Sequence, residues 1–423
     1  MRADVPVTAS KMSQLLSYLV SPARFLRRTS PFKTVLVVSL SLIAAGAAGV
    51  FYWGWHHLQA AQEAIENYQF EAARQHLKRS LAVWPGSRRA NLLAARVARV
   101  EGDYVEARKY LAACQRAGGM TEDLELEWLL LRAAAGEFPA LESRLRKLAD
   151  AGKSPLVLEA LVSCLYKESR HHLANYYLNQ WLSTVPNSMA YFWRGIVREK
   201  LRMSDEAMAD YARALELDPG RFEARLPLVR LHLEKSSGEA RTHLDFLKKN
   251  YPDSPEVMLL LGMDQRQQGH LSEAEKYIEQ ALQARPNDSM ACYQAGLVQL
   301  DMGRPTQAEE WLRKALKADP ASLAVRYALY LCLQRQAGRG QEARSELLAY
   351  KEEQDKTRRL QALLERVEKQ PENADLLVEA SEAFLERKQL FQHRQYLQRA
   401  LQHQPGHARA LELMADVSRH SPR

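Results

Sequence analysis

Two stretches of eighteen residues stand 34 positions apart: GHLSEAEKYIEQALQARP, Gly269 to Pro286, and GRPTQAEEWLRKALKADP, Gly303 to Pro320. They share the opening Gly, an Ala (Ala274, Ala308), an Ala-Leu pair (Ala281-Leu282, Ala315-Leu316) and the closing Pro, while most other positions drift. The Ala recurs as Ala73, Ala107, Ala174, Ala207, Ala240, Ala274 and Ala308, in steps of 34, 67, 33, 33, 34 and 34. The Pro recurs as Pro85, Pro186, Pro219, Pro252, Pro286 and Pro320, then as Pro371 and Pro405. A period of this length marks a stack of identical supersecondary units. Between turn Gly and closing Pro lie about four helical turns, and three or four more precede the next turn Gly, so each unit is two antiparallel helices. Gly195, Gly262 and Gly296 stand twelve residues before an Ala of the column. Small residues belong where two helix axes approach closely. No helix pair buries its apolar face alone, so stability comes from stacking. Ala, Leu, Glu, Arg, Lys and Gln dominate the composition, which favours helix throughout.

This pattern resembles the tetratricopeptide repeat (TPR) family, whose signature is a small residue at position 8, Ala at 20, a large apolar or aromatic residue at 24, Ala at 27 and Pro at 32. Registered on Pro219, the positions fall on Gly195, Ala207, Tyr211 and Ala214; on Pro286, they fall on Gly262, Ala274, Ile278 and Ala281; on Pro320, on Gly296, Ala308, Leu312 and Ala315. The resemblance covers roughly residues 57–418 and implies an all-α fold, an α-solenoid or TPR superhelix of about ten units. The sequence departs from the pattern in three places. Leu141 stands where Ala belongs, and so does His393, which is expected to open its helix pair or turn its imidazole outward. The third departure is the 51 residues between Pro320 and Pro371. Within it, residues 341–370 contain no Gly or Pro and read as one long connecting helix of about 45 Å. Its middle, Lys351 to Arg359, is polar at all nine positions and is expected to project into solvent or bend. The segment reads as a solvated connector, or else a docking arm, between a main array (57–350) and C-terminal TPR-like helices with a cap (371–418).

The array is preceded by TVLVVSLSLIAAGAAGVFYWGW, residues 34–55, with no charged residue and enough length to cross a bilayer. Arg24, Arg27, Arg28 and Lys33 precede it, and Phe51, Tyr52, Trp53 and Trp55 close it. A basic flank on one side and aromatics on the other predict one transmembrane helix with a cytoplasmic tail (1–33) and the array on the periplasmic or extracytoplasmic side of an inner membrane. A cleaved signal peptide with its core at Val35–Ala44 is the alternative, but the apolar run continues past the small residues near Ala47. Residues 11–28 mix apolar and basic side chains and read as either a short helix on the inner membrane face or an unstructured tail. Residues 1–33 hold +5 of the net charge of +8, which leaves +3 for everything beyond residue 55. That balance does not indicate a nucleic-acid surface. Cys114, Cys164, Cys292 and Cys332 are at least 40 residues apart, form no CxxC, and read as small buried side chains.

No Walker loop, GxGxxG, GxSxG or HExxH is present, and the adjacent pairs His56-His57 and His171-His172 point about 100° apart on a helix. We therefore expect neither enzyme chemistry nor a cofactor or metal. In TPR proteins the first helix of each unit lines the concave face, with positions 2, 5, 9 and 12 toward the ligand. Position 5 reads Leu92, Phe192, Arg225, Leu259, Tyr293 and Tyr327, a mixed surface suited to an extended peptide or helix. Positions 2, 9 and 12 of the second unit are Arg89, Arg96 and Arg99, a stripe fit for an acidic segment. The family's Lys and Asn clamp for a C-terminal carboxylate is matched in no unit. The expected role is a membrane-anchored scaffold or adaptor for partner proteins. Its alternatives are a self-associating structural component of an envelope assembly and an accessory subunit of an envelope-biogenesis enzyme.

Overall fold

The computed structural model describes residues 31–420, apart from 153 and 237. The segment 11–28, with its expected membrane-surface helix, lies outside the described residues. Among them every regular element is helical. The chain forms two compact units, residues 1–131 and 132–423. The division falls between Leu131 and Arg132, not at the connector near 350.

In the first unit, α1 (Pro31–Glu66) is one helix of 36 residues, about 54 Å at 1.5 Å per residue. It contains the expected span and continues without a break as the first helix of the first repeat. Leu58, Ala61, Ala64 and Ile65 pack against Ala73 and Leu77 of α2 (Phe70–Val83) and Ala90, Ala94 and Val97 of α3 (Arg88–Glu101). From Val38 to Val50 the α1 side chains are exposed. The packing continues through α4 (Tyr104–Gly118) and α5 (Glu122–Arg132), where Ala107, Leu111, Cys114, Leu124 and Leu131 share a core. Gly102, at φ 85°, makes the turn between α3 and α4.

The second unit opens on a wide turn, Ala133–Glu137, with Gly136 at φ 110°. Helices follow in pairs: α6 (Phe138–Asp150), α7 (Pro155–Lys167), α8 (His171–Thr184), α9 (Ser188–Lys200), α10 (Ser204–Leu217), α11 (Phe222–Glu234), α12 (Ala240–Asn250), α13 (Pro255–Gln267), α14 (Leu271–Ala284), α15 (Ser289–Asp301), α16 (Pro305–Ala318) and α17 (Leu323–Gln334). The last elements are α18 (Gly340–Lys369), α19 (Ala374–Glu386), α20 (Leu390–His403) and α21 (Ala408–His420).

The recurrent residues do what their spacing implies. A Cβ on Gly195 would lie 2.5 Å from Tyr211 Cε1, on Gly262 2.6 Å from Ile278 Cγ1, and on Gly296 2.7 Å from Leu312 Cδ2. Ala207, Ala274 and Ala308 are fully buried beside them. One or two residues after the closing Pro, a polar side chain caps the next helix: Asn187 accepts from Ala190 N, Asp288 from Ala291 N, Ser322 from Val325 N and Asn373 from Leu376 N. Each such cap contributes about 1 kcal/mol. All four cysteines are buried. Leu141 is buried as well.

Two expectations are corrected. His393 neither opens its pair nor turns outward: it is 1% exposed. Its Nδ1 lies 2.9 Å from Ser381 O and 3.2 Å from Ser381 Oγ. Ser381 holds the place that Gly takes elsewhere, so a small polar residue meets the ring that replaces Ala. Residues 340–369 form one helix, α18, and most of its polar middle is exposed as expected, but one side of that middle is held from the end of α19. Arg387 donates to Glu353 and, at 2.7 Å, to Thr357 Oγ1. Beyond that contact Leu360, Leu363 and Val367 are buried with Leu377, Phe384, Tyr396 and Leu397. Ala410 and Leu413 of α21 close this core, as a capping helix should.

The second unit also closes on itself. Gln395 donates to Gly136 O at 3.2 Å, Gln392 to Lys167 O at 3.1 Å, and Tyr396 Oη to Glu168 O at 3.2 Å. Helix α20 thereby joins α6 and α7, some 230 residues earlier, and the two ends of the unit meet.

Candidate functional site

The residues that sequence placed on the concave face fall into two groups. Arg99 is buried, and its guanidinium pairs with Glu127, also buried. Arg225 is 7% exposed; its guanidinium carbon lies 3.8 Å from the centre of the Phe246 ring, and it donates to Pro219 O. Both cations are committed to contacts within their own unit. Arg89, Arg96 and Arg99 therefore do not form a stripe of three available charges. Arg89 is exposed and donates to Gln62 Oε1, while Arg96 is half-buried.

The aromatic members stay closer to the surface. Phe192 is half-buried with its ring centre 6.2 Å from Tyr211. Tyr293 is half-buried against the core around Cys292 and Leu329. Tyr327 is 45% exposed and clusters with Tyr330 at 5.7 Å and Tyr350 at 5.6 Å. The sequence reading missed Tyr330, although it shares a helix face with Tyr327 at i+3. It missed Tyr350 because that residue comes from α18, which it read as a connector.

Near this cluster along the chain, a cleft of about 970 Å³ opens between residues 319–321, the second half of α18 and α19. Leu360, Leu363 and Ala383 line it together with Arg366, Glu379 and Glu382. An apolar strip with charges of both signs suits an amphipathic segment better than a small polar ligand. A second cleft, about 470 Å³, lies between residues 169–172, residues 200–202 and α18. His171 on its wall is held neutral: burial, then Lys200 and His172, lower its pKa to about 4. Among the described residues no group of three or more His, Cys, Asp and Glu forms a metal site.

The closure of the second unit is charged and buried, and no local pattern announced it. Arg170 Nη1 lies 2.7 Å from Glu142 Oε2 and 3.5 Å from Glu168 Oε2. Arg399, 3% exposed, has its guanidinium 5.0 Å from the Tyr396 ring centre. Burial opposes ionisation of Glu142, yet Arg170 holds that carboxyl below its ordinary range. Glu168 goes the other way. It is 1% exposed, and Arg170, 3.5 Å from Oε2, is too distant for a good hydrogen bond. Burial pushes it up to about 7, with Arg399 and Arg170 offsetting only part.

Models described as "Tetratricopeptide repeat" match residues 58–119, 236–289 and 259–322, residues 299–367 and residues 190–221. No curated protein matches the chain. Among solved structures, the chain is similar to PilW, titled a widely conserved type IV pilus biogenesis factor, at 18% identity and a TM-score of 0.39, over 46% of this chain and 90% of that one. It is similar to a tetratricopeptide repeat protein from Parabacteroides merdae at 15% identity and a TM-score of 0.37, over 67% and 99%. It is similar to human IFIT1, titled as a dimer with PPP-AAAA, at 15% identity and a TM-score of 0.41, over 78% and 91%. With repeat models covering more than half of its residues and helix pairs packed on the Gly and Ala columns, this chain is a member of the tetratricopeptide repeat family, an all-α solenoid built for protein interaction.

Proposed function

We infer that the chain is a non-enzymatic, membrane-anchored scaffold. Helix α1 crosses an inner membrane through residues 34–55, and the repeats lie on the periplasmic or extracytoplasmic side, where they gather partner proteins. Length and composition support the span: Val38–Glu66 is the one candidate among the described helices. The observation that carries the binding reading is the tyrosine cluster Tyr327, Tyr330 and Tyr350, whose last member lies on α18, the helix that also lines a cleft with Leu360 and Leu363. Accessible aromatic side chains are what a peptide or helix anchors on. Phe192 and Tyr293 extend the surface along the repeats. In the first unit, exposed Arg89 and half-buried Arg96 are the cations left to meet an acidic partner.

The test is a pull-down from detergent extract with the full-length protein, beside a Tyr293→Ala/Tyr327→Ala variant and an Arg89→Glu/Arg96→Glu variant. A protein captured by the wild type and lost in the tyrosine variant, with helicity unchanged, is the expected result. Identical capture by all three removes the groove from the proposal. A concentration-dependent increase in mass by light scattering, with no other protein captured, moves the reading to a self-associating envelope component.

A further inference from the structure

The helix hairpin α1–α2 brings a second part of the chain to the membrane. Helix α2 runs antiparallel to α1, so its C-terminal end points back along the span. Trp84, the residue that ends α2, sets its ring edge-on to Phe51, with centroids 4.8 Å apart. A Cβ on Gly54 would lie 3.1 Å from Val83 Cβ and 3.3 Å from Trp84 Cη2. The end of α2 therefore lies level with residues 51–54, inside the last turns of the span. At 1.5 Å per residue Phe51 is about 6 Å deeper than Trp55. Tryptophan favours this interfacial depth.

Charge points the same way and is an independent observation. From Ala72 to Val100 the chain carries Arg74, Lys78, Arg79, Arg88, Arg89, Arg96 and Arg99, and no Asp or Glu. Arg74 is drawn off by Glu71 and Glu101, and Arg99 by Glu127. The four cations that flank the Trp84–Ser87 turn are not neutralised in this way. Lys78 and Arg79 are exposed, Arg88 donates to the neutral Thr121 Oγ1, and Arg89 donates to the neutral Gln62 Oε1. A tryptophan at interfacial depth with uncompensated cations around it is the arrangement that binds an anionic lipid surface.

We propose that the Trp84–Arg89 turn is a second membrane contact, in which Trp84 seats at the interface and Lys78, Arg79, Arg88 and Arg89 bind anionic phospholipid headgroups of the leaflet on the array side. The proposal rests on the reading of residues 34–55 as a span. Each cation near an anionic surface is worth roughly fivefold in partitioning.

The experiment uses the full chain in lipid nanodiscs, with phosphatidylcholine alone or with an added phosphatidylglycerol fraction. Nitroxide labels are attached at Trp53→Cys, Gly86→Cys or Arg108→Cys. The four native cysteines are buried, and a Cβ on Gly86 meets nothing within 4 Å, so labelling falls on the introduced site without disturbing the turn. Accessibility to a lipid-soluble and to an aqueous relaxation agent gives depth. The expected result is lipid access at 53 and 86 but not at 108, with access at 86 several-fold greater when anionic lipid is present. Lys78→Gln/Arg79→Gln should abolish most of that increment and leave 53 unchanged. Lipid access at 53 with an aqueous label at 86 overturns the proposal and leaves the span standing. An aqueous label at 53 overturns both. A label at 86 shielded from both agents means a protein covers the turn, and lipid access at 86 that ignores anionic lipid removes the headgroups; either overturns the assignment.

Discussion

Replacing Glu168 with Gln should stabilise the protein at alkaline pH and do nothing at acid pH. The carboxyl is almost wholly buried at the closure between α20 and α7, with a pKa of about 7 against an ordinary 4.5. Below 4.5 it is protonated in the folded and unfolded chain alike and contributes nothing. Between 4.5 and 7 the unfolded chain ionises first, folding takes up a proton, and stability falls as pH rises. Above 7 the full cost is in place. Each pH unit between the two values is worth 1.36 kcal/mol, so the ionised carboxylate destabilises the closure by about 3 kcal/mol. Gln resembles the protonated acid and escapes that cost. Repeat arrays open locally, so the assay is hydrogen exchange of the α7, α8 and α20 amides, compared between the two proteins at each pH. Glu168→Gln should be protected up to about a hundredfold more at pH 8, with the two proteins converging near pH 4.5. Protection that tracks the wild type across the whole range, or a variant weaker at both ends, would refute the argument.

Other outcomes follow from the same contacts. Gly296→Ala forces a Cβ to within 2.7 Å of Leu312 Cδ2 and Cγ, and should cost about 1–3 kcal/mol by overpacking. Gly86→Ala, with open space around it, should stay within about 0.5 kcal/mol, and urea unfolding followed by circular dichroism separates the two. Tyr396→Phe removes the hydrogen bond to Glu168 O and leaves a buried carbonyl short of a donor, at about 1–3 kcal/mol. Its exchange signature should be faster amides in α20 with α13–α16 unchanged. A uniform rise across the second unit would mean that the closure is not a separate contact.

The repeats were legible because close helix contacts demand small residues at fixed spacing, and Gly195, Gly262 and Gly296 leave no other choice. The closure was not legible. Gln392, Gln395 and Tyr396 sit at unremarkable positions of their helix, and their partners Lys167, Gly136 and Glu168 are set by a superhelical path that no local pattern encodes. Arg99 and Arg225 mislead for a different reason. A residue that faces the groove and one that faces the next repeat are separated by a fraction of a helical turn, and both carry the 34-residue period. Burial by Glu127 in one case and Phe246 in the other decides the matter. His393 was misjudged because the Ala column was read alone, without Ser381 across from it.

Helix α1 leaves the expected span and enters the first repeat with no change of helix. A joint of that kind has no swivel. Lengthening it by one residue would turn the repeat about 100° around the helix axis and lift it 1.5 Å, whereas four added residues would nearly restore its heading. On the proposed reading of residues 34–55 as a span, the same stiffness would make the first repeat a pointer: a thicker or thinner bilayer that changed the tilt of the span would lean the repeat by the same angle.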